Sequence, residues 1–337
     1  MNPKQPPILK INKLDFTWAT QDPFLFCVHH RDAYPAGESD FGPPPETLAG
    51  RNMGQDFTLK DGWRMYHGSR VPGFPAHPHR GFETVTIVLD GYVDHSDSHG
   101  SSGRYGEGDV QWMTAGSGLQ HAEMFPLLNR DAPNPGELFQ IWINLPQKNK
   151  MVDPYYKMLW SEDIPVHDGG DVKIRIISGN YGGLRPPSPA PDSWASDPES
   201  EVSIWIITLA PNAKWSLPPA APELNRSIYF YQGSHLKIAE KGFGVSHSLD
   251  LRADAEIPIE NGKDEARLLL LQAKPIGEPV AQYGPFVMNS RIELEQAFSD
   301  YNKTRFGGWP WDRNDPVHGS EKRRFARYAD GTEEIRG

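Results

Sequence analysis

Short apolar runs separated by glycine turns dominate the chain from residue 84 onward. Residues 84–89 are rich in β-branched side chains, and Asp90-Gly91 after them is a strong hairpin signal. The chain then returns through residues 92–95. Closely spaced strands of this length predict a small β-barrel or sandwich. Further strands of the same kind are predicted at residues 24–28, 109–113, 119–125 and 138–145.

A second series of apolar runs repeats this organisation in the C-terminal half. It follows a segment rich in proline and serine, residues 181–200, which predicts an exposed loop rather than a free linker. Strand–glycine–strand segments in both halves indicate an internal duplication. The predicted strands of this half are residues 202–209, 227–231, 235–238 and 267–272.

One segment near the C-terminus predicts a helix. Ser290 and Glu293 have the spacing of a capping box. Apolar residues then follow at helical spacing, namely Leu294, Ala297, Phe298 and Tyr301. The tail beyond this helix is expected to be a loop packed on a domain. Its short basic run, residues 322–327, is expected to be a solvated tail rather than a nucleic-acid site.

The composition favours a protein of many short strands and argues against two classes of binding partner. The 337 residues include 32 glycines and 32 prolines, a turn content that favours short strands over long helices. The formal net charge of −10 argues against direct binding to nucleic acid or to an anionic membrane, because both need Lys and Arg at the contact. It does not argue against a protein partner.

Cysteine content and the N-terminus bear on location. Cys27 is the single cysteine, so an intramolecular disulfide and a cysteine zinc site are both excluded. The first 20 residues contain no apolar segment of signal-peptide type. No run approaches the roughly 18 apolar residues of a membrane span. We therefore expect a cytoplasmic protein.

Two short patches carry the candidate chemistry. His77 and His79 lie at i and i+2, and so do His121 and Glu123. Residues at i and i+2 of a strand point to the same face, so two neighbouring strands could direct three imidazoles and one carboxylate at one ion. Such a set leaves positions for further ligands, which a reactive metal centre needs. The alternative is two unrelated pairs on strand surfaces.

The sequence around these patches resembles the pirins, a family of the cupin superfamily. The resemblance is carried by HPHRGFETVTIVLDG (77–91), GDVQWMTAGSGLQHAEM (108–124) and GPFVMNS (284–290). It implies an all-β bicupin: two stacked antiparallel β-barrels of the double-stranded β-helix type, with a short C-terminal helix. The long segment 181–200 and the tail beyond about residue 305 are more similar to bacterial pirins than to the compact animal form, so nuclear partners are not carried over.

The resemblance also implies a domain plan. Residues 1–150 are expected to form an N-terminal cupin barrel with the metal site. Residues 151–285 are expected to form a second cupin barrel without metal, because the segment that answers to 77–91 is residues 223–233, which lacks the His-x-His pattern. Residues 286–337 are expected to supply the helix and a tail that pack on the barrels.

The resemblance places the four metal ligands of pirins on His77, His79, His121 and Glu123. It implies Fe(II), although three imidazoles and one carboxylate also suit Mn, Ni, Cu or Zn. Glu83 is expected to lie next to this set but outside it. Glu123 is also the expected catalytic group, as a general base. His95 and His99, at a nearby turn, are each expected to have a surface or hydrogen-bonding role.

Two functions follow from the resemblance. The first is a metal-dependent dioxygenase of the quercetin 2,3-dioxygenase type, which opens the ring of a small aromatic, flavonol-like substrate with O2. The alternative is an iron-containing regulatory protein that binds a transcription or metabolic protein without turnover. The fold does not decide between the two functions, because it hosts many chemistries. Turnover of a flavonol distinguishes them.

Overall fold

The structure is a computed structural model that describes residues 6–337. It is a mostly β protein with a single α-helix among these residues, α1 (Arg291–Thr304). All of the predicted strands are present, with bounds that differ from the prediction by at most six residues. The first eleven strands are β1 (Ile8–Lys13), β2 (Thr17–Trp18), β3 (Phe24–Tyr34), β4 (Gly73–His79), β5 (Phe82–Asp90), β6 (Tyr92–Asp97), β7 (Ser102–Gly106), β8 (Val110–Thr114), β9 (Leu119–Met124), β10 (Asn134–Asn144) and β11 (Tyr155–Leu159).

The remaining strands follow the same pattern of short antiparallel elements joined by tight turns. They are β12 (Val166–Asp168), β13 (Val172–Ser178), β14 (Ser203–Leu209), β15 (Lys214–Leu217), β16 (Asn225–Gln232), β17 (His235–Ile238), β18 (Lys241–Gly244), β19 (His247–Leu251), β20 (Ile257–Asn261), β21 (Ala266–Ala273), β22 (Ala281–Tyr283), β23 (Phe286–Met288), β24 (Arg324–Arg327) and β25 (Glu333–Arg336).

The chain forms two compact units that interleave in sequence. The first, here called the histidine unit, comprises His29–Gln140, Gln147–Ser161 and Glu278–Gly337. The second unit comprises the described part of Met1–Val28 together with two further segments, Ile141–Pro146 and Glu162–Gly277. Each unit is built from several segments of the chain, whereas the predicted domains are contiguous. For example, β1 near the N-terminus pairs with β19, so both strands belong to the second unit.

The histidine unit is built on two antiparallel sheets. One has the strand order β25-β24-β7-β6-β9-β4. The other has the order β11-β8-β5-β10, of which β11, β8 and β5 lie wholly in this unit and β10 lies in it as far as Gln140. Its buried core is aromatic and aliphatic, and includes Tyr34, Trp63, Met65, Tyr66, Val88, Val93, Phe125, Leu138, Tyr156, Met158 and Trp160.

A tight turn connects the two sheets of this unit. Gly91 joins β5 to β6 with a φ of +78°, a conformation that glycine adopts without strain. A Cβ at this position would lie 2.8 Å from the carbonyl oxygen of Pro135. The turn predicted at Asp90-Gly91 is present, but the hairpin is not, because β5 pairs with β8 in one sheet whereas β6 pairs with β7 and β9 in the other.

The second unit has its own pair of antiparallel sheets and its own core. The strand orders are β1-β19-β16-β21-β14-β13-β12 and β15-β20-β17-β18. Apolar side chains of both sheets form the core, among them Ile174, Ile176, Trp205, Ile207, Leu236, Ile238, Leu249, Ile257, Ile259, Leu268 and Leu270. Residues 181–200 are mostly irregular, with two short 3-10 turns, Trp194–Ser196 and Pro198–Ser200, so the loop prediction is confirmed.

The predicted helix is confirmed together with its cap. The hydroxyl oxygen of Ser290 accepts a hydrogen bond from the backbone N–H of Glu293 at 3.3 Å, and the Glu293 carboxylate accepts one from the N–H of Asn289. Leu294 and Ala297 are buried in a cluster with Phe286, Met288 and Phe306. The helix therefore packs within the histidine unit through the face that its periodicity predicts.

The basic run near the C-terminus was interpreted wrongly as a solvated tail. Arg324–Arg327 forms β24, which pairs with β7 in the sheet of the histidine unit. Arg324 and Ala326 are buried. The reason is a specific partner, because the guanidinium of Arg324 donates to Oδ1 of the fully buried Asp109 at 2.9 Å.

Candidate metal centre

Strand pairing brings the two predicted patches together. β4 and β9 are antiparallel neighbours, and their register places His77 directly opposite His121. A bulge between Phe74 and His77 shifts the register immediately before this pair. Because His79 lies two residues after His77 on the same strand, both imidazoles of β4 point to the face that also carries His121.

The three histidines form one compact group. The candidate ligand atoms of His77, His79 and His121 all lie within 4.8 Å of one another. The ring centroids are 4.5 Å apart for His77 and His121, and 4.9 Å apart for His79 and His121. His79 and His121 are buried, and His77 is partly exposed. His77 is thus the one residue of the group that has appreciable contact with solvent.

The chemical state of these imidazoles fits a metal ion. Burial lowers the pKa of His77 to about 4, and it lowers the pKa values of His79 and His121 well below the ordinary value. All three rings are thus neutral near pH 7, which is the form that binds metals. Nδ1 of His77 donates to the carbonyl oxygen of Pro75 at 2.8 Å, so its Nε2 is the available ligand atom.

His121 supplies a further observation in favour of a metal. It is fully buried, and among residues 6–337 neither of its ring nitrogens has a hydrogen-bond partner. Buried polar atoms without a partner are rare in native proteins, because each costs free energy on folding. A coordinated ion would satisfy the nitrogen that faces His77 and His79.

Glu123 lies beside the three histidines. Its Oε2 is 3.8 Å from Nε2 of His121. Oε1 accepts a hydrogen bond from the hydroxyl of Thr86 at 3.0 Å, and Oε2 accepts one from Nε2 of Gln140 at 2.6 Å. Burial raises the pKa of this carboxyl group, while His95 and the hydrogen bonds act in the opposite direction. The carboxylate is therefore held firmly and is more basic than an exposed one.

A chain of buried polar groups leads away from Glu123. The hydroxyl of Tyr105 lies 3.4 Å from Oε1 of Glu123 and donates to Oε1 of Gln111 at 2.9 Å. Nε2 of Gln111 then donates to Nδ1 of His95 at 2.7 Å, which leaves the His95 proton on Nε2, 3.3 Å from the Asp97 carboxylate. All of these side chains are buried.

The sequence analysis predicted only part of this series of buried polar groups. The hydrogen-bonding role expected of His95 is confirmed, but its ring is fully buried and stacks on Tyr156. Tyr105 and Gln111 were missed. The available signal was a polar residue within an apolar strand, since Gln111 stands between Val110 and Trp112 on β8.

Glu83 is also fully buried, on β5. Its Oε1 accepts hydrogen bonds from the indole N–H of Trp112 at 3.2 Å and from the hydroxyl of Thr114 at 2.8 Å. It does not belong to the histidine group. That Glu83 acts beside the ligands without binding the ion stays a prediction.

Comparison with known families agrees with the fold. The family model described as Pirin matches residues 43–143, and the one described as Pirin C-terminal cupin domain matches residues 204–307. Together these matches cover more than half of the chain. The chain belongs to the pirin family. The first pirin match contains all four predicted ligand residues, and the all-β bicupin fold is confirmed.

Individual pirin relatives come from plants and bacteria. Pirin-1 of Arabidopsis thaliana is 37% identical over 250 residues, which are 70% of this chain and 78% of the relative. A protein of Pseudomonas aeruginosa named "Putative quercetin 2,3-dioxygenase" is 37% identical over 235 residues, which are 68% of this chain and 79% of that protein. Both matches extend well beyond the segments that carry the histidines.

A solved structure resembles this pirin over most of its length. The crystal structure of a quercetin 2,3-dioxygenase from Acinetobacter baumannii aligns with a TM-score of 0.70 and 25% identity, and the alignment covers 89% of this chain and 98% of the other. None of the helices in the described part of the pirin chain is long and apolar enough to span a membrane.

Proposed function

We propose that this pirin is a metal-dependent dioxygenase of the quercetin 2,3-dioxygenase type. The observation that carries the proposal is the convergence of His77, His79 and His121 on one point beside a buried carboxylate. The names of the Pseudomonas relative and of the Acinetobacter structure support the same reaction class. Glu123 completes a set of three imidazoles and one carboxylate, and the partly exposed side at His77 is where a substrate enters.

The donor set suits Fe(II), which is the ion we propose, with Mn, Ni, Cu and Zn as alternatives. When bound, the ion supplies Lewis acidity, which lowers the pKa of a substrate enol, and redox capacity for O2. The three neutral imidazoles and the Glu123 carboxylate hold it. The proposed substrate is a small flavonol-like molecule with adjacent enol and carbonyl oxygens.

Glu123 has a second proposed role as the general base for the substrate hydroxyl. Burial raises the pKa of its carboxyl group, so the carboxylate has a higher affinity for a proton than an exposed glutamate has. The hydrogen bonds from Thr86 and Gln140 keep its two oxygens oriented before and after the transfer. O2 is the oxidant, and ring opening releases carbon monoxide.

The test is O2 uptake together with carbon monoxide release when quercetin is added to protein reconstituted anaerobically with Fe(II). His121→Ala removes one imidazole of the buried group. His235→Ala is the matched control, because His235 is exposed and lies in the second unit. Metal content is measured in all three proteins, so the ligand assignment has a readout that does not depend on activity.

We expect turnover and bound iron in the wild type and in His235→Ala, and loss of both in His121→Ala. Full retention of iron by His121→Ala would refute the ligand assignment. Wild-type protein that holds iron but neither consumes O2 nor releases carbon monoxide would refute the dioxygenase proposal. That result would favour the regulatory alternative and a search for a protein partner.

A further inference from the structure

The second unit contains a large cavity that the proposed reaction does not use. Its volume is about 1000 Å³, and all of its lining residues belong to Glu162–Gly277. Its lining includes much of the proline-rich loop, residues 181–200, together with Trp205 and Pro218. The cavity is therefore large enough for a small organic molecule and has apolar as well as polar walls.

Arg226 lines this cavity and is only 2% exposed. Its Nε donates to Oε1 of Gln272 at 2.7 Å, and its Nη1 donates to the carbonyl oxygen of Pro218 at 2.9 Å. Within residues 6–337 no carboxylate oxygen lies within 4.0 Å of the guanidinium, and no hydrogen bond is made by Nη2. Both of its protein partners are neutral.

A buried guanidinium without an anionic partner is unfavourable. Removing a cation from water costs free energy, and proteins ordinarily compensate it with a paired carboxylate or a bound anion. Burial lowers the pKa of Arg226 to about 10, so the group is still charged near pH 7. Gln272 fixes the guanidinium plane, which leaves N–H groups of Nη1 and Nη2 for a ligand.

We propose that this cavity binds a small organic monocarboxylate, whose anion pairs with Arg226. A planar guanidinium matches the two oxygens of a carboxylate. The apolar part of the ligand packs on Trp205 and Pro218.

The charges around the cavity favour a single negative charge on the ligand. Two arginines and two acids line it, Arg185 and Arg226 with Asp197 and Glu201. Their formal charges cancel, so an anion is attracted only close to the Arg226 guanidinium. Glu201 is exposed and interacts electrostatically with Arg226 without touching it. A dianion would meet repulsion from these two carboxylates, whereas a monoanion can replace water at Arg226.

Benzoate is a suitable probe, because it combines one carboxylate with a flat apolar ring. Benzamide has nearly the same shape without the charge. Binding of each compound to the full-length protein is measured by calorimetry and by the shift in melting temperature. Wild type and His121→Ala are both used, since benzoate bound to an ion at the histidine group would be lost in the latter variant.

We expect benzoate to bind wild type and His121→Ala equally, and to bind at least about tenfold more tightly than benzamide. Arg226→Met should weaken benzoate binding by about tenfold or more, and Arg226→Lys by less. The matched control is Arg252→Met, because Arg252 is a partly exposed arginine of the same unit that already pairs with Asp254 and does not line the cavity. This control should bind benzoate as the wild type does.

A variant that is expected to bind benzoate more tightly provides a test that a folding defect could not mimic. Glu201→Gln removes the nearest competing carboxylate from the exposed rim, so benzoate should bind a few times more tightly. Equal binding of benzoate and benzamide would overturn the proposal. So would benzoate affinity that is unchanged in a folded Arg226→Met protein, or benzoate binding that is lost in His121→Ala. Absence of benzoate binding to wild type at about 10 mM would overturn it as well.

Discussion

Gln140 on β10 donates a hydrogen bond from Nε2 to Oε2 of Glu123 at 2.6 Å. Thr86 on β5 donates to the other oxygen, so each carboxylate oxygen is fixed by a side chain from a different strand. The orientation of Glu123 is therefore set by the second sheet of the histidine unit, although Glu123 itself belongs to β9 in the first. Groups that orient a ligand contribute to metal affinity even when they do not touch the ion.

Gln140→Leu should weaken metal binding. Leucine has a similar volume but cannot donate to Glu123, so the carboxylate loses one of the contacts that orient it. Metal affinity should fall by roughly 10- to 100-fold, measured by competition with a chelator of known affinity. Gln282→Leu is the control, because Gln282 is an exposed residue of β22 in the same unit. Unchanged affinity in a folded Gln140→Leu protein would contradict a ligand role for Glu123.

The C-terminal strand supplies the second prediction. Arg324 on β24 pairs with Asp109, which also accepts hydrogen bonds from the backbone N–H groups of Ser161 and Gly106. Arg324→Met keeps the apolar stem and leaves the Asp109 carboxylate buried without a cation. Two backbone donors to Asp109 remain in this variant. We therefore expect the free energy of unfolding to fall by about 3 kcal/mol, which is near the lower end of the range for a broken buried ion pair.

The measurement is urea denaturation, with Arg323→Met as the matched control. Arg323 is the adjacent residue in the same basic run, and it is exposed. Its replacement should change the free energy of unfolding by less than about 0.5 kcal/mol. Equal effects of the two substitutions would show that β24 contributes no specific ion pair to the unit.

The strands and the helix could be predicted because their signals are local. Alternating β-branched residues, the Asp90-Gly91 turn and the Ser290 cap each depend on a few neighbouring residues. The grouping of His77, His79 and His121 was also predictable, since the i and i+2 spacing and the family resemblance point to one face of adjacent strands. The residue spacing does not predict the bulge after Phe74, which sets the His77–His121 register.

The tail and the polar chain behind Glu123 depend on distant partners. Arg324 is buried because Asp109, 215 positions away in sequence, is buried opposite it. His95 is buried because Gln111 and Asp97 satisfy both of its ring nitrogens. A run of charges or a histidine near a turn is more often exposed, so composition alone predicts solvent contact for both. Only the paired strands reveal the compensating groups.

Asp32 supplies a prediction about pH. Its carboxylate is buried and accepts a hydrogen bond from the hydroxyl of Tyr66 at 2.5 Å and one from Arg64 at 3.3 Å. Burial raises its pKa from 3.8 to about 6 in spite of these partners. Between these two pH values the folded protein keeps a proton on Asp32 that the unfolded chain has released. The contribution of Asp32 to stability therefore falls as pH rises through this window, and it is constant above it.

Asp32→Asn should remove this dependence, because the amide is neutral at every pH. The free energy of unfolding of wild type relative to Asp32→Asn should fall between pH 4 and pH 6.5 by about 2 kcal/mol, measured by urea denaturation. Comparing the two proteins cancels the titration of the histidines, which both contain. Asp153→Asn, at an exposed position of the same unit, should run parallel to wild type. A difference between wild type and Asp32→Asn that stays constant or grows with pH would mean that Asp32 is ionised in the folded protein throughout the window, with Arg64 outweighing burial.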